Sequence, residues 1–115
     1  MARSTEALAV VERVASRALG VVFDSFHVGT QEGELAAALR RVAPHVFAVQ
    51  LSDAPDRIAP GLRTLDLVGL MRALRGTDVP DSLVEMEFFP TGHDAQAEAW
   101  ALQALRRLDR QATCA

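Results

Sequence analysis

Apolar positions along this chain follow two alternating rules. From Ser4 to about Ala18 they recur at Leu8, Val11, Ala15 and Ala18, with Ala7 and Val14 beside them, the period of a helix that buries one side. Ser4 or Thr5 can cap its start, Glu6 suits the positive end of its dipole, and Gly20 is placed to end it. The period then lapses: Val21-Val22-Phe23 is a short apolar run of β-branched and aromatic residues, the mark of a buried strand, and it leads into Asp24, Ser25 and His27. In a continuing strand Asp24 and His27 face opposite ways, whereas a turn after Asp24 brings them together. The plainer reading is a strand whose aspartate caps a turn and whose histidine lies at the surface.

Helical spacing returns in QEGELAAALRRVA, where Leu35, Ala38, Leu39 and Val42 form one face. The pattern predicts a helix from Gln31 to about Val42, capped by Thr30 and closed by Pro44, with Arg40 and Arg41 at its negative end. HVFAVQL, His45 to Leu51, reads as a second buried strand ending in Gln50, Ser52 and Asp53. The loop SDAPDRIAPGLRTLD follows, with Arg57 and Arg63 among two prolines and a glycine; it is longer than most strand-to-helix connections and so a candidate functional loop. Asp66 caps LVGLMRALR and Gly76 stops it. SLVEMEFF is a third strand with Leu83, Glu85, Glu87 and Phe89 on one face and Val84, Met86 and Phe88 on the other, its two glutamates about 6.6 Å apart. After Pro90 to His93, Asp94 caps a last helix through Trp100, Ala101, Leu105 and Leu108, and the tail QATCA is expected to fray.

The order αβαβαβα over one domain, residues 1–115, calls for parallel strands joined by right-handed crossovers, an α/β architecture in which ligands gather at the C-terminal strand ends. All three strands end in oxygen-bearing side chains: Asp24, then Gln50 with Asp53, then Glu85 with Glu87. Carboxylates and an amide oxygen with a histidine near suit a divalent cation such as Mg²⁺ or Mn²⁺ rather than a closed zinc cage. Such an open site polarises a carbonyl and stabilises the enediolate formed when a neighbouring carbon loses its proton. For Asp53 and Asp66 the competing reading is an N-cap or a solvated strand end.

Composition narrows the function. An apolar fraction of 50% in 115 residues supports a core. A net charge of -3, with every cation an arginine, gives no basic footprint for nucleic acid. The lone Cys114 has neither a disulfide partner nor neighbouring ligands, which fits a reducing, cytoplasmic setting. No apolar run has the length of a membrane span, and the two glutamates of MARSTEALAVVERVAS are unlike a signal peptide.

VVFDSFHV, then VQLSDAPDR with its following PG, then VEMEFF resemble the sixth, seventh and eighth strand ends of the xylose isomerase-like TIM barrels, the sugar phosphate isomerase/epimerase superfamily. The resemblance covers nearly the whole chain. It implies the C-terminal three strands of a (β/α)8 barrel and a metal held by strand-end side chains. The DxFH-like aspartate corresponds to Asp24 and the histidine beside substrate to His27. The eighth-strand glutamate corresponds to Glu87, which an aromatic pair follows, with Glu85 as runner-up. Gln50 stands where most members carry a metal-binding histidine, as in dehydroshikimate dehydratase-like members, and Arg57 resembles a basic residue that holds a substrate hydroxyl, carboxylate or phosphate.

A complete barrel needs eight strands and about 250 residues. The resemblance implies that the strand carrying the first glutamate ligand, which also takes part in proton transfer in epimerase members, falls before Met1, so the site expected here lacks that ligand and the base it would supply, and its catalytic residues stay unassigned. One expectation is therefore a metal-dependent isomerase, epimerase or dehydratase acting alpha to a carbonyl of a polyol, sugar or cyclitol, with Asp24, Gln50 and Glu87 on the metal and His27 and Arg57 on the substrate, and little turnover from this chain as a monomer. The other is a non-catalytic barrel fragment that self-associates or pairs with a complementary piece through its open edges. Abasic-site endonucleases share the superfamily, but the acidic balance and the sparse histidines argue against them.

Overall fold

The first helical pattern forms α1, Ser4–Val14, shorter than expected. It stops not at Gly20 but at Ala15, which turns into the left-handed region (φ 52°) and donates its N–H to the Val11 carbonyl. Its start also differs from expectation. Arg3 holds the N-cap position without a side-chain cap, and Ser4, inside the first turn, donates its N–H and hydroxyl to the Glu32 carboxylate at 3.0 and 2.8 Å. An acceptor from 28 residues downstream thus does the work of a local cap and ties α1 to the following loop. This computed structural model describes residues 3–60, 64–80, 83–89 and 95–113.

Strand β1, Val21–Asp24, ends where the apolar run meets its carboxylate. The chain turns there at once into α2, Ser25–Gln31, and after a break at Gly33 (φ 84°) into α3, Leu35–Val42. One helix capped by Thr30 was expected; there are two. The cause is Asp24, whose side chain accepts from the N–H groups of Phe26 and His27 and so starts a helix six residues earlier than the apolar spacing suggests. Thr30 is then the last turn of α2, and its hydroxyl donates back to the Phe26 carbonyl at 2.7 Å. A 3₁₀ turn at Ala43–His45 with Pro44 leads into β2, Val46–Leu51.

Asp66 caps α4, Leu67–Arg75, by accepting from the Gly69 N–H at 2.9 Å, and Gly76 ends it, both as the sequence predicts. Strand β3 is the short Val84–Met86, and α5 runs over Ala95–Thr113. Residues 111–113 are helical and Ala112 is buried, so the tail is ordered further than expected. Asp94, the loop before it and Cys114 lie outside the described residues.

The three strands form one parallel sheet in the order β1-β2-β3. One face is packed: Phe23, Val49 and Leu51 are buried with Leu39 and Val42 of α3, Leu70 and Leu74 of α4, and Leu108 of α5. The alternation of side chains sends Val22 and Asp24, Ala48 and Gln50, and Glu85 the other way. That face is uncovered; Val22 is 55% exposed. The helices therefore fix the strands from behind and leave a polar row on the other face at their C-terminal ends, buried at Asp24, half-buried at Gln50 and exposed at Glu85. Among the described residues no helix is long and apolar enough to cross a membrane.

Candidate active site

Register makes the polar row continuous. Asp24 pairs with Gln50 across β1 and β2, and Gln50 with Glu85 across β2 and β3, so the three stand side by side at one level of one face. Gln50 spends its amide nitrogen on this neighbour, donating to Glu85 Oε1 at 2.9 Å. Glu87 lies two residues further towards the rim; its N–H is held by the Leu51 carbonyl at 3.0 Å, which extends the β2–β3 pairing past the end of β3.

Arg57 gathers the rest. Its Nη1 lies 2.9 Å from Asp24 Oδ2 and donates to Glu87 Oε2 at 3.3 Å, and its Nη2 lies 2.6 Å from His27 Nε2. A guanidinium only donates, so His27 Nε2 is the acceptor of that pair and the ring proton sits on Nδ1. At 3.9 Å, His27 Nε2 and Asp24 Oδ2 are neighbours without a hydrogen bond. The guanidinium also lies 5.3 Å from the Phe26 ring centroid, and Phe26 meets His27 edge-on. Asp24, His27, Gln50, Arg57 and Glu87 all border one open cavity of about 320 Å³. Asp24 serves twice, Oδ1 capping α2 and Oδ2 facing the cavity side with Arg57.

Arg57 reaches this position because residues 53–58, which follow β2, are held by backbone hydrogen bonds. Asp53 and Ile58 exchange backbone hydrogen bonds at 2.7 and 3.0 Å, and the Arg57 carbonyl accepts from the Phe89 N–H at 2.9 Å. Between these anchors Asp56 and Arg57 both adopt left-handed backbone (φ 62° and 56°), a conformation that residues with a Cβ disfavour. Asp53 is neither solvated nor a helix cap: it is fully buried, and its Oδ1 accepts from the N–H groups of Ala54 and Leu65 at 2.8 and 2.9 Å.

Two strand-end serines prove to be partners. Ser25 and Ser52 are both buried, and the Ser25 hydroxyl donates to the Ser52 carbonyl at 2.7 Å and accepts from its N–H at 2.9 Å. The pair locks the first residue after β1 to the first after β2, holding the two loops in register. The available signal was a serine directly following each strand end.

For a cation, the donor set is suitable. Two carboxylates from strands on opposite sides of β2 already converge on one positive nitrogen, Arg57 Nη1. Among the described residues no three His, Cys, Asp or Glu side chains form a ready cluster for an ion; Asp24 and Glu87 are instead both paired with the Arg57 guanidinium.

A parallel sheet backed by helices on one face, with carboxylates and a histidine at its C-terminal rim, has the architecture of a segment of an α/β barrel. The chain belongs to the xylose isomerase-like TIM barrel family, whose model matches residues 1–111. A Mus musculus protein provisionally described as a hydroxypyruvate isomerase is 29% identical over 96 residues, which are 83% of this chain and 34% of that protein. The crystal structure of the 3-keto-D-glucoside 4-epimerase YcjR from E. coli superposes with a TM-score of 0.78 at 26% identity, over 91% of this chain and 40% of that one. An IolI protein with a zinc atom also gives 0.78, at 22% identity over 98% of this chain and 45% of the other, a likeness of fold. The chain thus spans a third to under a half of the length of these relatives.

Proposed function

We propose that this chain supplies the C-terminal rim of a divalent-metal site in a sugar isomerase or epimerase that removes a proton alpha to a carbonyl. The observation that carries the reading is the convergence of Asp24 and Glu87 on one cationic nitrogen at the strand ends. Asp24 and Glu87 are the charged ligands. Gln50, its amide nitrogen bound to Glu85, offers its oxygen as a third. An all-oxygen set of this kind favours Mg²⁺ or Mn²⁺ over a soft metal. A bound divalent ion would polarise the substrate carbonyl and stabilise negative charge on its oxygen.

The chain's own residues orient the substrate. His27 stands beside the substrate at the mouth of the cavity, and its Nε2, by accepting from Arg57 Nη2, sets the orientation of that guanidinium. Arg57, with both Nη groups as donors, holds a hydroxyl or carboxylate oxygen. Phe26 gives the guanidinium an apolar backing that keeps its donors facing the cavity. The small-molecule sugar epimerases among the structural neighbours, such as the E. coli 3-keto-D-glucoside 4-epimerase, support a ketose or keto-sugar as the substrate class. The uncovered sheet face and the outer edges of β1 and β3 favour association with further barrel strands or a second copy.

A ketose in the presence of Mn²⁺ tests this directly. With D-fructose as the probe, nuclear relaxation of the protons near the carbonyl is expected to rise when chain and Mn²⁺ are both present, and to fall about tenfold towards the protein-free level in Glu87→Gln. Relaxation that is the same with and without the chain, or unchanged by Glu87→Gln, contradicts the proposal.

A further inference from the structure

We infer that Arg57 is an internal counter-cation that occupies the place of the metal ion, so that the guanidinium pairing and the divalent ion exclude each other and metal binding frees Arg57 for the substrate. The inference rests on the reading of Asp24 and Glu87 as metal ligands and adds to it a competing charge built into the chain. Both carboxylates point at one nitrogen, at 2.9 and 3.3 Å. An Mg²⁺ or Mn²⁺ ion needs its oxygens at roughly 2.1 Å and would have to sit where Nη1 now stands. Arg57 is also well shielded, its side chain only 17% exposed, so its pairing is not the loose contact of a surface arginine.

Geometry shows where the side chain goes when displaced. The backbone of residue 57 is pinned by the Asp53–Ile58 hydrogen bonds on one side and the Phe89 N–H on the other, in a left-handed conformation that only a fixed loop maintains. The loop stays, and the guanidinium alone moves. Its second nitrogen already meets His27 Nε2, and its carbon lies over Phe26. Released from the carboxylates, it retains these two contacts and turns its freed Nη1 to the cavity, next to the residue that faces the substrate. Without a metal, the same guanidinium neutralises two carboxylates that would otherwise repel each other across the rim. Removing that charge therefore makes the pair a stronger divalent-cation site.

Calorimetric titration of the full chain with MnCl₂ is the test. Arg57→Gln is expected to bind Mn²⁺ about tenfold more tightly than the wild type and, without metal, to melt at a lower temperature. A second readout does not need that variant: the Nε–H signal of Arg57 in a ¹⁵N-arginine-labelled wild-type sample, assigned by its nuclear Overhauser contacts to the Phe26 ring, shifts on addition of Mg²⁺, and stays still in Glu87→Gln. If Arg57→Gln does not fold, that wild-type signal decides the matter. Equal or weaker Mn²⁺ binding by Arg57→Gln, or an Arg57 signal that ignores Mg²⁺ while Mn²⁺ binds, overturns the exclusion but leaves the metal site standing. Absence of Mn²⁺ binding in both proteins overturns the metal site and the exclusion together.

Discussion

Phe23→Ala is expected to lower the unfolding free energy by about 3–5 kcal/mol, the range for removing a buried aromatic ring from a core that cannot collapse around the void. Phe23 is 1% exposed and belongs to the cluster in which the β strands meet α3, α4 and α5. Native domains are stable by only about 5–15 kcal/mol, so the loss is a large share of the whole. The consequence extends to the site, because Phe23 directly precedes Asp24 and its packing anchors the end of β1. Urea unfolding followed by far-UV circular dichroism measures the effect. Phe89→Ala serves as the control: Phe89 is 70% exposed, and its truncation is expected to stay within about 0.5 kcal/mol. Equal losses in the two variants would mean that the packed face has been misplaced.

The second large effect separates the two roles of Asp24. Asp24→Asn keeps an oxygen that can accept from the Phe26 and His27 N–H groups, and asparagine caps helices as well as aspartate does. Asp24→Ala removes both the cap and the charge. The alanine variant is expected to be less stable than the asparagine variant by about 1 kcal/mol, the usual value of an N-cap. Both are expected to lose Mn²⁺ affinity by about a hundredfold, since loss of even a partner behind the ligands costs up to that much. Chemical unfolding gives the first difference and calorimetric titration the second. An asparagine variant with wild-type Mn²⁺ affinity would remove Asp24 from the ligand set and leave it a helix cap, the plainer of the two readings its sequence allows.

How much of this was legible in the chain depends on the range of the interaction. The ends of β1 and α4 were readable because their determinants are local: an apolar run meeting Asp24, and Asp66 three residues before Gly69. The alternation along β3 set Glu85 apart from Val84 and Met86, which pack against the core, for the same reason. What the chain did not disclose is what neighbouring strands decide. The side-by-side placing of Asp24, Gln50 and Glu85 follows from strand register, which no single strand encodes, and it explains why Gln50 bonds to Glu85. The split of the second helix was hidden because the capping strength of Asp24 acts before the apolar period at Leu35 begins. The bonds from Ser4 to Glu32, and from Ser25 to Ser52, join residues 28 and 27 apart, and no pattern within one element pairs them.

Asp53 carries a further lesson about strand-end acids. It follows β2 as Asp24 ends β1, yet it turns inward, fully buried, to hold the loop that presents Arg57, while Asp24 turns to the rim. Polar residues at strand ends thus divide between those that build the loop and those that face the ligand. The glutamates of the third strand divide in a similar way: Glu85 is engaged by Gln50 and Glu87 by Arg57.

That division makes the central claim, that Asp24 and Glu87 form the charged half of a divalent-cation site, open to one direct measurement. In a calorimetric titration with MnCl₂, the full chain is expected to take up one ion, Glu87→Gln to lose that uptake, and Glu85→Gln to keep it. Uptake that survives Glu87→Gln but is abolished by Glu85→Gln, or that is indifferent to both, would contradict the account.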